Sequence, residues 1–480
     1  MLRETHRLYV MLLIIILMLF PSAVLSAQIG INTDNSPPDA SAILDLKSTT
    51  QGFLTPRMTQ AERDAIIDPA TALLIYQTDE THGFYYNQGT PAAPDWIRIG
   101  NEDDAPICDF RIPIDSVLFQ STFKGQMTEY LITEPGSYYL TGVIQGIPDG
   151  TSGVTIASDN VTLDLNGYAI IGAQPNSNDD ATLLASPPGN GSGIRIDSIR
   201  KNISVRNGII ERWGENGIEA DQTVNSIFRD LTIYNSGEEG IIVGNQNLLQ
   251  RINAELNIGP SIVGKVGNNM IHCNATNGGA TGILADSLTN IVNCGTFNNL
   301  GVGIRVNFGG MALGCVSTDN RLGGISLGPF SYATKSAAYD NGEDGFRIDN
   351  NGHVSNCNAS LNEGDGFDLI GATGSITHCV AHENDSVGIH LSNLLRCDML
   401  VSHNGVTDND TDGFLIRGGG AFLINNWTSG NLNTPITGLG FGDGYDISPF
   451  TKYGPMIDVR QVGDISTVPN ADSPIANFIY

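Results

Sequence analysis

Basic residues are scarce in this chain of 480, where 24 Lys and Arg stand against 51 Asp and Glu and the formal net charge is −27. A field of that sign repels phosphate backbones, which excludes nucleic acid as a partner; an anionic polymer would need a locally basic groove. Tryptophan is limited to Trp96, Trp213 and Trp427, too few for broad sugar-stacking platforms. After the first 27 residues no stretch reaches 18 consecutive apolar residues, so no transmembrane span is expected in the mature chain. Cysteine numbers seven, an odd count that cannot fully pair, and no C-x2-C spacing occurs. That excludes a complete disulfide framework and the common zinc-site spacing.

What is present begins with an export signal. Arg3 and Arg7 precede or open an apolar run of 13 from Leu8 to Phe20, and small residues follow at Ala23, Ser26 and Ala27. Cleavage near residue 27 through the Sec pathway predicts a secreted or cell-surface protein, with an uncleaved signal anchor as the alternative.

The dominant feature is a repeat. "GIRI" at 193, "GIEA" at 217, "GIIV" at 240, "GILA" at 282 and "GIRV" at 303 are followed by "GISL" at 324, "GFRI" at 345, "GFDL" at 366, "GIHL" at 388 and "GFLI" at 413. The steps are 21 to 25 residues, with one of 42 that spans two units. Asparagine keeps the same beat four residues before the glycine, at Asn299, Asn320, Asn341, Asn362, Asn384 and Asn409. Gly supplies positive φ and Asn tolerates left-handed backbone, so both are expected at sharp corners entering short strands. Apolar residues alternate with period two, as in Ile304 and Val306. A unit this short cannot bury its own apolar side, but copies stacked at about 4.8 Å build a continuous core.

This pattern resembles the right-handed parallel β-helix family, the pectate-lyase-like fold, over roughly residues 130 to 430. The resemblance implies an all-β solenoid of about eleven or more rungs. That fold carries lyases, hydrolases, epimerases, adhesins and phage spikes, so it implies no single activity. Residues 28–104, with "LDLKSTTQGFLTPRMT" and "LLIYQTDE", resemble the N-terminal module of surface and tail-fibre-like proteins of Bacteroidota-type bacteria, which implies display or attachment, an inert spacer being the alternative. The chain thus divides into a signal (1–27), this module (28–104), a β-helix (105–430) and a capping segment (431–480).

Five cysteines, Cys273, Cys294, Cys315, Cys357 and Cys379, share one column of the repeat with Ser336 at the missing beat. Strand alternation directs them inward and turns His272 and His378 outward. Buried free thiols packing as small apolar residues are expected, although rung spacing also permits cross-rung disulfides.

The outward positions of the glycine strand are where lyases of this fold hold acids and bases. Here they carry Arg347, Asp349, Asp368, His390 and Arg417, a mixed-charge patch over four rungs that suits either sugar binding or proton abstraction beside a stabilising cation; solvated surface charge is the plain alternative. The paired aspartates of polygalacturonase-like hydrolases are missing from the repeats, since Asp103-Asp104 and Asp179-Asp180 lie outside them. "DNDTDG" places Asp408, Asp410 and Asp412 at calcium-loop spacing, but Gly419 stands where the closing glutamate belongs, so an acidic corner fits as well. Asp344 and Asp365 stack one rung apart and need solvation or a bridging cation. Phe308, Phe330 and Tyr332 form a small aromatic patch. The leading expectation is an exported binding or structural protein directed at glycans; a polysaccharide lyase using the outward face is the alternative, and a ligand-free spacer the third.

Overall fold

The computed structural model describes residues 9–11, 28–99, 111–114, 129–145, 150–172, 190–371, 373–392, 398–417, 421–431, 445–447, 452–458 and 469–479. Most of the export signal, Cys108, Cys397, Gly419, both aspartate pairs and residues 173–189 lie outside them. Two compact units emerge, Met1–Phe110 and Arg111–Tyr480. Among the described residues no helix is long and apolar enough to cross a membrane.

The first unit holds a parallel strand pair, Ile29–Asn32 with Leu44–Lys47, and a four-stranded sheet built from Arg57–Met58, Leu74–Gln77, Gly83–Asn87 and Trp96–Ile99. A one-turn helix, Gln60–Asp64, starts in a capping box in which Thr59 and Glu62 each accept the other's backbone N–H. Ile75 and Tyr85 are buried, whereas Ile29, Ile31, Leu44 and Leu46 all stay exposed.

In the second unit each repeat becomes one rung of three short strands, for example Ile304–Val306, Met311–Leu313 and Val316–Thr318. Every strand of a rung pairs in parallel with its counterpart one repeat later, as Ile304 with Ile325, Met311 with Tyr332 and Val316 with Ala337. The strands that follow the repeat glycine form a fifteen-stranded sheet running from Tyr130–Ile132 to Tyr445–Ile447, and the other strands of each rung join into one closed sheet. The solenoid of eleven or more rungs is therefore present. The 42-residue step is two rungs, with Ser261 in the glycine's place before the strand Ile262–Gly264.

Inward residues of successive rungs form one continuous core, in which Phe346 and Phe367 stack at 4.9 Å. The rungs turn at corners made by residues with positive φ, such as Leu288, Asn293 and Asn298 within a single rung. After many of these corners comes a buried polar or thiol side chain that caps a backbone N–H of the rung before, as Thr289 does for Asn268, Cys294 for Cys273 and Asn299 for Gly278.

Three sequence expectations change here. The asparagines four residues before the glycine do not adopt left-handed backbone; the residue before each of them does, at Asn298, Asp319, Asp340, Leu361, Glu383 and Asp408. The asparagines point inward and form a ladder from Asn299 to Asn431, each Nδ2 donating to the next Oδ1 at 2.7 to 3.0 Å. The same Oδ1 atoms accept the backbone N–H of the preceding asparagine, as Asn341 Oδ1 does from Asn320 at 3.1 Å. The repeat glycines have ordinary φ, and their requirement is space. A Cβ at Gly345 would stand 2.7 Å from Asn362 Nδ2 and 2.8 Å from the Gly366 carbonyl.

The five column cysteines are free and buried, with His272 and His378 exposed beside them. Those histidines occupy the positive-φ corners, not the strand. The column also does more than fill apolar space. Cys294 Sγ lies 3.3 Å from the Cys273 amide nitrogen, Ser336 Oγ accepts from Cys315, and Asn404, Asn426 and Asn477 continue the same column. Burial pushes the Cys315 thiol up to about 12, far from thiolate chemistry.

Candidate functional site

Strand pairing along the glycine sheet fixes one outward column: Leu284, Arg305, Ser326, Arg347, Asp368, His390 and Leu415 in successive rungs. Because strand neighbours alternate, each of these stands between two buried residues, as Arg347 does between Phe346 and Ile348. Inward positions stay apolar rung after rung, as Val306, Leu327, Ile348 and Leu369 do. This outward column changes at every step.

Arg305, Ser326 and Arg347 together line two shallow hollows of about 330 and 280 Å³. The first continues past Asn307 and Pro329 to Asp349, and the second past Gly323 to Glu343 and Asp344. Both guanidiniums are exposed, and among the described residues neither has an ion-pair partner within 4 Å. Phe308 and Phe330 sit beside the first hollow in sequence, half exposed, with ring centroids 5.4 Å apart. Tyr332 stacks instead on His353 at 5.2 Å. Trp213 is buried and Trp427 partly exposed on a different sheet.

One rung further, Asp368 and His390 come together, and Asp365 joins them from the turn before the strand. His390 Nδ1 lies 2.8 Å from Asp365 Oδ2 and 3.7 Å from Asp368 Oδ1. Asp365 is held in turn: its Oδ1 accepts the Val387 N–H at 3.0 Å, and its own N–H donates to Asp344 Oδ1 at 2.9 Å. Ser392 Oγ donates to Asp368 Oδ1 at 3.3 Å. His390 Nε2 is buried and has no hydrogen-bond partner.

The electrostatics of this corner follow from burial and pairing. Burial pushes Asp344 up to about 6, against the Asp365 N–H that favours its ionised form. Burial also raises Asp368, with the His390 charge working the other way. Burial is the largest influence on Asp365 and opposes its ionisation, but the hydrogen bonds from His390, Ser386 and Val387 and the His390 charge together outweigh it and hold that carboxyl below its ordinary range. For His390 burial, the largest influence, favours the neutral ring, and the Asp365 hydrogen bond together with the charges of Asp365 and Asp368 overrides it, raising the imidazole.

The sequence-derived residues are thus divided. Arg347, Asp368 and His390 are consecutive in one column. Asp349 borders the first hollow but turns back to cap the Asn350 N–H at 2.7 Å. Arg417 is exposed at the strand end two rungs above Asp368, without a salt bridge to the cluster among the described residues. Asp408, Asp410 and Asp412 do not converge. Asp408 occupies a corner with His382 Nδ1 at 3.5 Å, and the group of three whose ligand atoms lie within 4.8 Å of one another, among the described residues, is Asp365, Asp368 and His390. Arg305 and Asp365 were not among the site residues read from sequence. For Arg305 the signal was the column itself; for Asp365 it was the place before the glycine, already marked by its stacking on Asp344.

Comparison with known proteins agrees with the architecture. Residues 284–433 match the family described as a right handed beta helix region, and residues 30–111 match a phage tail like trimerisation region. The second unit is a right-handed parallel β-helix. No curated protein matches the chain in sequence. Among solved structures it is similar to the A-module of a mannuronan C-5 epimerase from Azotobacter vinelandii, with 17% identity over 67% of this chain and 91% of that one and a TM-score of 0.36. It is also similar to tailspike protein 3 of bacteriophage CBA120, at 12% identity over 79% and 68% and a TM-score of 0.35. A pectate lyase matches at 14% identity over 69% and 72% with a TM-score of 0.25.

Proposed function

We propose that the protein is exported, is displayed at or beyond the cell surface, and binds a glycan along the outward face of its glycine sheet. The observation that carries this reading is the pair of exposed guanidiniums, Arg305 and Arg347, on either side of Ser326 and without an ion pair among the described residues, in a chain of net charge −27. Two cations outside any ion pair among the described residues keep their donors available for hydroxyl and carboxylate groups of a sugar chain. Phe308 and Phe330 next to the first hollow offer apolar ring faces to the same chain. The first unit would assemble three copies of this surface: its exposed strand pair, Ile29–Asn32 with Leu44–Lys47, is too small to be stable alone and carries apolar side chains that need a cover.

A second reading, a lyase-like enzyme abstracting a sugar proton, draws support from His390, whose Nδ1 is fixed by Asp365 while its buried Nε2 has no hydrogen-bond partner. A glycan panel read for binding, unsaturated products and reducing ends separates the two. Binding without turnover, weakened about a hundredfold or more by Arg305→Ala with Arg347→Ala, supports the binding role, since each lost charge-assisted contact is worth about 1.5–3 kcal/mol. Product formation abolished by Asp368→Ala in a folded variant would replace it with the enzyme reading.

A further inference from the structure

We propose that Asp365, Asp368 and His390 bind a divalent transition-metal ion, of the kind that accepts imidazole nitrogen and carboxylate oxygen together, such as Zn²⁺ or Mn²⁺. This goes beyond the glycan reading and does not depend on it. The three side chains each present one ligand atom, and those atoms lie within 4.8 Å of one another. Ligands about 2.0–2.2 Å from a shared ion stand about 3.0–3.4 Å apart in octahedral or tetrahedral arrangement. The observed separations of 2.8 Å and 3.7 Å from His390 Nδ1 bracket that spacing, so small side-chain rotations bring all three to coordination distance.

The donor set decides the class of ion. One nitrogen with two carboxylates suits zinc, manganese, iron or nickel, whereas calcium prefers six or more oxygens. The ligands are also held before any ion arrives. Asp368 and His390 project from paired strands one rung apart, Val387 N–H fixes the other oxygen of Asp365, and Ser392 braces Asp368. Such braces around a ligand set orient it and strengthen binding. The two carboxylates neutralise the ion. The Nδ1 proton that now bridges His390 to Asp365 leaves when the metal takes its place, so binding releases protons. Three protein ligands leave further positions open on the side where Asp368 and His390 are partly exposed, with 13% and 20% of their side chains accessible. Those positions suit water or an oxygen of a bound molecule.

The test uses the full chain, purified without a histidine tag and stripped with a chelator. Titration calorimetry with ZnCl₂ and with MnCl₂ should show one saturable site per chain, with proton release and a rise in melting temperature of several degrees at excess metal. CaCl₂ should give neither. His390→Gln and Asp368→Asn should each weaken Zn²⁺ binding about tenfold or more, while Asp408→Asn leaves it unchanged. Co²⁺ added to the unmutated chain should produce visible d–d absorption with nitrogen coordination, a readout that needs no variant to fold. No saturable heat, no cobalt spectrum, calcium preferred over zinc, or zinc binding that survives in His390→Gln would each overturn the proposal.

Discussion

The two faces of the glycine sheet obey opposite rules. Facing inward, successive rungs place Ile304, Ile325, Phe346, Phe367 and Ile389 in one column, and the neighbouring turn repeats asparagine without interruption from Asn299 to Asn431. Facing outward, the same strands carry Arg305, Ser326, Arg347, Asp368 and His390, no residue type appearing in two adjacent rungs. Stacking demands that an interior column stay apolar and fit its neighbours, because each side chain rests on its counterpart one rung away. No such demand acts outside, where variation records what each rung touches. Repetition in this molecule therefore marks architecture, and its failure on one face marks the place where a ligand reading belongs.

The largest effect should come from breaking the inward rule at mid-ladder. Asn341 accepts from the Asn320 amide and side chain and donates to Asn362, Ser317 and Tyr339. Asn341→Leu would strand the Asn320 N–H and the Ser317 carbonyl in a dry interior, at about 1–3 kcal/mol each, so a loss of about 3–5 kcal/mol in chemical denaturation is expected. A loss below 1 kcal/mol would mean that water reaches the ladder and that the inward column is not self-supporting.

A second test uses two adjacent rungs where the rule fails inside. The asparagine ladder skips Gly278, and the glycine beat skips to Ser261 one rung below. The two exceptions touch: a Cβ on Gly278 would stand 2.7 Å from Ser261 Oγ and 2.9 Å from Asn299 Oδ1. Ser261 Oγ and Asn257 Nδ2 are buried there without partners. Ser261 thus occupies space that an asparagine at 278 would need. Gly278→Asn alone should destabilise; combined with Ser261→Gly it should restore the ladder, with a coupling of about 1–3 kcal/mol in a double-mutant cycle. Additive losses would show that the two exceptions arose independently.

These columns explain what was legible from sequence and what was not. The period of 21, the inward alternation and the outward order of Arg347, Asp368 and His390 follow from spacing alone, because a solenoid converts sequence distance into vertical neighbours. The reason for each repeated residue was misplaced by one position. Asn and Gly suggest left-handed backbone, yet side chains as unfavourable there as Leu288 and Phe330 take the corners. Asn is needed one residue later, for an amide that bonds along the stack. The Asp365 to His390 contact spans 25 residues between a turn and a strand, and column arithmetic pairs only like positions. For the same reason alternate spacing drew Asp408, Asp410 and Asp412 together on paper, while the backbone sends them around a corner.

The smallest effect lies at the boundary between the faces. Asp344 precedes the repeat glycine, half inside, and burial raises its carboxyl from 3.8 to about 6. The folded chain therefore holds a proton there that the unfolded chain has released, and stability should fall as pH rises from about 4 to 6. In that window His390 is protonated and Asp365 ionised in the fold, so their pair contributes a nearly constant term and does not mask the slope. Asp344→Asn keeps an oxygen to accept the Asp365 N–H and cannot ionise. With EDTA present to keep metal out, the variant should show a shallower fall in melting temperature over this range, the raised carboxyl of Asp368 keeping part of the slope. At pH 7 it should exceed the parent by about 1 kcal/mol, a value reduced for the group's partial exposure. A parent and variant with the same slope would show that water solvates Asp344 as freely as it does the outward column.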